Sequence, residues 1–273
     1  MPKLNVKQLT ILLILLLAVS SVWRLGTEAI LWQLLLAAST AAVLEAAVGY
    51  RRTRRLALSE SGLITGLIIA GVAAPGSSMF AVVLMTAIAI VSKHLLKIQR
   101  RNIFNPAAFG LLCGVLFLGV RLSWWIDASH LLTIVAGSVL LAFFTGRWRQ
   151  ILAFLAVFIG LLGARSWFSG QPFTMELYLY VSISSFFVFF MLTDPRTSPL
   201  APRGQLLFAA VAAIGSFLSI LFQPATIFIG GLLAANLLAA GLNWRALRPA
   251  PVPAAATPKP APEPQLSSPS LQA

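Results

Sequence analysis

Charge is what this chain has least of. Only 10% of its 273 residues are Asp, Glu, Lys or Arg, while 59% are hydrophobic and the mean hydropathy is +0.90. Soluble domains carry roughly 25% charged residues, so water cannot be the solvent for most of this surface. Acidic residues are scarcer still, 7 against 20 Lys and Arg, which leaves a formal net charge of +13. That excess does not indicate nucleic acid, because the basic residues sit between apolar runs instead of gathering on one folded face. A single cysteine, Cys113, lies inside an apolar run and excludes intrachain disulfides, Cys-ligated zinc and an iron–sulfur cluster held by one chain. The two histidines, His94 and His130, flank different apolar segments at opposite membrane faces in the arrangement given below, which argues against a bis-His haem. No Ser-His-Asp set, zinc motif, Walker loop or dinucleotide fingerprint is present.

What is there is a series of apolar runs. A membrane-crossing helix needs roughly 20 apolar residues, fewer where it is short or re-entrant. Ten segments are expected, at about 8–23, 29–50, 61–75, 78–95, 106–120, 130–146, 150–164, 176–193, 204–222 and 225–244. Lys and Arg in short loops resist translocation and so fix orientation. With both termini in the cytoplasm, 17 of the 20 basic residues fall inside, in clusters such as Arg51–Arg55, Lys93–Arg101 and Arg245–Lys259. The other three, Arg24, Arg121 and Arg165, open outer loops that also hold Glu28, Asp127 and Glu176. The expected product is an all-α, multi-pass protein of the cytoplasmic membrane. Its first apolar run could also pass for a signal peptide, but Trp23 and Arg24 make an interfacial anchor, and a retained helix gives an even count. Residues 1–245 form the membrane domain. The stretch 246–273 is a Pro/Ala-rich cytoplasmic tail with no means of burying a core.

Ten segments divide into two fives, about 8–120 and 130–244, which an odd count would set inverted in the bilayer. The third segment runs from Ser61 to Pro75-Gly76, and the eighth stops at Thr193-Asp194-Pro195. The fifth opens with Asn102-Ile103-Phe104-Asn105-Pro106, and the tenth holds Asn236. Short or proline-interrupted helices at matching places in two halves point to a site near the midplane between them.

Each of these residues has an ordinary explanation beside a functional one. Asn105 and Pro106 form a cap and first turn, yet the helix start, with Asn102 beside it, is also a ready anion or phosphate site. Asp194 ends an aromatic stretch of Phe186, Phe187, Phe189 and Phe190, where the helix dipole disfavours a carboxylate; pairing with Arg196 or Arg203 would compensate it. Glu45 lies within a predicted helix, about a turn and a half from Arg51, and is expected to snorkel or pair with an arginine. Thr65 and Asn236 suit helix–helix hydrogen bonds, although their matching positions raise the case for ligands.

Three patches resemble a known membrane family, the one containing the RnfD protein of the Rnf electron-transport complex and the NqrB protein of the sodium-translocating NADH:quinone reductase. Ser61-Gly62-Leu63-Ile64-Thr65-Gly66-Leu67 resembles its Ser/Thr-Gly-Leu helix. Asn102-Ile103-Phe104-Asn105-Pro106-Ala107-Ala108 resembles its Asn-x-Phe-Asn-Pro-Ala motif, and Phe190-Met191-Leu192-Thr193-Asp194-Pro195-Arg196-Thr197-Ser198-Pro199 its Phe-Met-Ala-Thr-Asp-Pro-x-Thr-Ser-Pro signature. Leu232 to Asn236 is similar to the family's closing helix, so the resemblance covers about residues 56–245 in order. It implies two inverted five-helix repeats shaped like urea transporters, and a non-autonomous component of a redox-driven, ion-translocating oxidoreductase. Other Rnf/Nqr-type membrane and redox subunits would be its partners in the lipid bilayer. FMN or riboflavin would be the cofactor, with Thr65, Asn102, Phe104, Asn105, Thr193, Asp194 and Asn236 as binding candidates and the rings near Phe104 or Phe187 as stacking surfaces. The family attaches FMN to a Thr in a Ser-Gly-Ala-Thr-like sequence, placed in the outer loop after the fifth helix. Here the loop Arg121–His130 has no Thr, Thr133 lies inside segment six where a phosphate is costly to bury, and Ser169-Gly170 lacks the rest of the motif. Any flavin is therefore expected to be noncovalent. The rival expectation is a solute transporter or channel that kept the shape without the redox role, or a purely structural scaffold.

Overall fold

The structure, a computed structural model, describes residues 5–25, 28–55, 59–99, 101–126, 145–170 and 185–246, with 139, 172–174 and 180 besides. Most of segment six, residues 176–179 and 181–184 of segment eight, and the tail beyond 246 lie outside the described residues. Among those described, eight α-helices account for most of the chain: α1 Val6–Leu25, α2 Glu28–Thr53, α3 Glu60–Val72, α4 Met79–Leu95, α5 Pro106–Leu118, α6 Trp148–Ser169, α7 Pro202–Phe222 and α8 Ile229–Ala246. A hairpin of β1 (Lys97–Ile98) and β2 (Arg101–Asn102) precedes α5, with Lys97 opposite Asn102. Four helices, α1, α2, α6 and α7, are long and apolar enough to cross a membrane, and the other four are shorter apolar helices. The protein is a helical membrane protein.

Helices α3 and α5 are 13 residues each. At 1.5 Å per residue they reach about 20 Å, short of a hydrocarbon core of roughly 30 Å. The third segment was expected to run to Pro75. It stops at Val72 because Ala73 becomes extended and bridges Leu122, and the chain then turns at Pro75-Gly76. A helix ending this way leaves carbonyls that lipid cannot satisfy. Here each finds a protein donor. The Ala73 N–H bonds Ile69, the Ile126 N–H bonds Gly71, and the Ser123 and Trp124 N–H groups bond Val72. Ala70 takes the Trp125 indole N–H and the Gln33 amide, both at 2.8 Å, and Ala73 takes the same Gln33 amide at 3.1 Å.

A second helix end is closed in the same way. Residues Phe187–Leu192 form a π-helical turn. The Thr193 hydroxyl donates to Phe189 O at 2.6 Å, while Leu192 O accepts from Gln150 Nε2 at 2.6 Å and from the Ser198 hydroxyl at 3.2 Å. Gln33 and Gln150 are both buried and both lie near the start of a long helix.

Between these two ends lies a buried aromatic cluster. Phe187 stacks on Phe228 at 4.9 Å; Trp124 meets both edge-on at 6.2 and 5.6 Å; Phe154 and Phe158 close the group at 5.4–5.6 Å. Trp124 and Phe228 hold left-handed backbone, φ +50° and +67°, a conformation costing about 1–3 kcal/mol that surrounding packing must sustain. Helix pairs approach closely at glycines. A Cβ on Gly231 of α8 would lie 2.5 Å from Ala212 O and Ser216 N of α7, and one on Gly110 of α5 would lie 2.5 Å from Met85 O of α4. Gly231→Val should therefore lower stability by at least about 1–3 kcal/mol. Thermal unfolding of the detergent-solubilised protein measures this, and an unchanged midpoint would contradict the contact.

Candidate functional site

Of the seven binding candidates named from sequence, five converge, and Phe104 and Asn236 do not. A half-open cavity of about 140 Å³ is walled by Thr65 of α3, Asn102 of β2, Asn105 before α5, and Thr193 and Asp194 after the π-helical turn. Ile64, Ile68, Pro106, Phe189 and Phe190 supply its apolar wall, and Lys7 and Arg196 supply basic groups. It extends from the N-terminal ends of α3 and α5 to about the middle of α3 at Ile68.

Asn105 organises this wall. Its Oδ1 accepts from Ala108 N at 3.1 Å as the N-cap of α5, with Pro106 in the first turn. Its backbone N–H donates to Asn236 Oδ1 at 2.8 Å, and its amide donates at 3.4 Å to Met191 O on the π-helical turn. Asn236 thus stands behind the wall, fully buried, instead of lining the cavity; its Nδ2 has no partner among the described residues. Asn102 does line it, is 6% exposed, and presents a buried Oδ1 that no donor among the described residues reaches. Thr65 was expected to bond between helices. Its hydroxyl instead bonds Ser61 O of its own helix at 2.9 Å, which leaves its outer face on the cavity.

Phe104 does not line the cavity. Its ring stacks on Phe109 at 5.5 Å, and Phe187 is sealed in the aromatic cluster, so the rings on the cavity wall are Phe189 and Phe190. Phe190 in turn stacks on Phe186 at 4.7 Å.

The Asp194 turn is held from outside by a residue whose sequence position suggested only topological charge. Arg101 Nη2 donates to Pro195 O at 2.5 Å and Ser198 O at 2.8 Å, tying β2 to the turn. Arg147 donates to Pro199 O, and Asn243 of α8 bonds both Ser198 O and Leu200 N. Asp194 forms no ion pair within 4 Å among the described residues. Its Oδ1 accepts the Arg196 backbone N–H at 2.9 Å, where pairing with an arginine side chain was expected. Burial pushes its carboxyl above the ordinary value, an effect that the Arg196 N–H, the Arg196 charge, the Thr197 hydroxyl and Arg101 only partly offset.

Glu45 also finds partners other than those expected. It pairs with Lys93 and lies 3.4 Å from His94, both on α4, and does not pair with the arginines that follow it on its own helix. Gly62 makes room for it, since a Cβ there would collide with the Glu45 side chain.

The sequence model of the NQR2, RnfD, RnfE family matches residues 4–129 and 113–242. The chain belongs to this family. A comparison with the curated proteins returns no match. Membership implies that it is a membrane subunit of a multisubunit Rnf- or Nqr-type complex. Within this NQR2/RnfD/RnfE-family chain the Asn105–Asn236 bond joins the two halves of the sequence behind the cavity wall. Asn236→Leu removes the acceptor and strands a buried backbone N–H, so a loss of about 1–3 kcal/mol is expected. Chemical unfolding would show it, and a loss under about 0.5 kcal/mol would mean that the amide finds another partner.

Proposed function

We propose that this protein holds FMN or riboflavin, noncovalently, in the cavity between α3, β2, α5 and the Asp194 turn, and passes electrons between partner subunits of an Rnf- or Nqr-type complex. Thr65, Asn102, Asn105, Thr193 and Asp194 are the contacting residues, with Asn236 positioning Asn105. One observation carries this reading: Asn102, on the wall of an otherwise largely apolar cavity, holds a buried acceptor that no donor among the described residues reaches, and an unmet group of this kind costs about 1–3 kcal/mol. A flavin ring fits that demand, having an imide N–H to donate and an apolar face for the wall of Ile64, Ile68 and Phe190. Lys7 and Arg196 suit the polar side chain or phosphate of the same group. When bound, the flavin supplies one- and two-electron chemistry, while the protein supplies orientation and polarity.

The same reading includes ten crossings in two inverted halves, about 8–120 and 130–244, within a membrane domain of 1–245, with both termini cytoplasmic. The glutamines support the pairing. Gln33 starts the second segment and bonds the end of the third; Gln150 starts the seventh and bonds the end of the eighth. Aromatic side chains support the orientation. Exposed Trp23, Phe80, Phe117, Trp167, Phe168 and Phe222 all fall at outer helix ends in this arrangement, and Tyr50, Trp148 and Trp244 at inner ones, as expected for two interfacial belts. A solute pathway fits less well, because beyond Phe190 the route meets the buried rings of Phe186, Phe187, Phe228 and Trp124.

Protein purified after flavin supplementation should be yellow, release its absorbance on denaturation, and give no fluorescent band in a denaturing gel. Colourless protein would overturn the flavin role, and a fluorescent band would overturn the noncovalent one. Asn102→Leu should weaken riboflavin binding about tenfold, equivalent to ~1.4 kcal/mol, with little change in the thermal midpoint of the flavin-free protein. Equal affinity in a titration would remove Asn102 from the site.

A further inference from the structure

We infer that Asp194 is the group that exchanges a proton with the cavity's ligand as that ligand is reduced, an inference that rests on the flavin reading above. Among the described residues Asp194 is the only acid on the cavity wall. It is half-buried, at the carboxyl end of a helical turn whose dipole opposes negative charge. The cations around it are occupied elsewhere or set back. Arg101 of the hairpin spends its guanidinium on the Pro195 and Ser198 carbonyls, and Arg147 before α6 bonds Pro199 O. Lys7 of α1 pairs with Glu60 at 3.8 Å, and Arg196 of the same turn gives Asp194 its backbone N–H while its side chain is exposed. A carboxyl with burial but no close counter-ion binds its proton more tightly than usual, which agrees with the direction in which its titration is displaced.

Reduction of an oxidised flavin by two electrons, delivered singly by a reduced flavin or iron–sulfur carrier of a neighbouring protein in the complex, with one proton onto a ring nitrogen, leaves the ring one negative charge richer. Asp194 gives that proton and is reprotonated from water at the cavity mouth beside Lys7 and Arg196. The charge left on the ring raises the affinity of Asp194 for its proton, so between its values in the oxidised and reduced protein, reduction takes up one further proton per electron pair.

The test is a potentiometric titration of riboflavin bound to the full-length protein at a series of pH values. In the wild type the midpoint potential should fall with rising pH more steeply within one window than on either side of it. Asp194→Asn should abolish that steeper window, Asp194→Glu should restore it at a displaced pH, and Arg196→Gln, which removes a nearby cation, should move it to higher pH. If Asp194→Asn binds no riboflavin, the Arg196→Gln displacement decides the matter. A wild type that takes up no riboflavin sinks the flavin reading and this one together. A wild type that binds it, with Asp194→Asn tracing the same profile or Arg196→Gln leaving the window in place, sinks the proton role alone.

Discussion

Two helix ends inside an apolar medium govern this structure. A carbonyl facing lipid has no solvent to bond, so wherever a helix stops early the protein must bring donors to it. The end of α3 is met by Gln33, Trp125 and the backbone of 123–126, and the end at Leu192 by Gln150, Ser198 and Thr193. The chain segments that supply these donors are thereby folded into the interior. The candidate cavity is a product of that folding. It forms where the Asp194 turn, released by the end of one helix, meets the starts of α3 and α5.

The membrane character, the positions of the long helices and the Asn105–Pro106 helix start were all legible from composition and capping chemistry. So was the set of residues that meets at the cavity, because the motifs that carry the family resemblance supply twelve of its lining residues. What escaped was less visible for physical reasons. Gln33 and Gln150 look like any neutral amide near a helix start, and only the three-dimensional path of the chain brings them to a carbonyl 37 or 42 residues away. Arg101 sat in a basic cluster whose charge was already explained by orientation. The hairpin, with two residues per strand, is too short to show alternation. Phe104 and Phe187 were chosen as aromatic neighbours of motif residues, but packing turned both rings away from the cavity.

Glu45 shows how position along a helix misleads about partners. Its nearest cations in sequence lie a turn and a half on, at the end where α2 becomes exposed. Helix α4, packed beside α2, brings Lys93 and His94 to the same depth, and Gly62 of α3 opens the space between them. Burial then favours the pair that can be fully enclosed over the one that would have to reach out to water.

That enclosure ties the histories of two positions together. Losing either Glu45 or Lys93 alone leaves an uncompensated charge out of water, at about 3–5 kcal/mol, whereas exchanging both for well-packed apolar side chains is close to neutral. The two sites can drift only in step, so descendants of this chain should inherit the carboxylate and the ammonium as a couple or have discarded both.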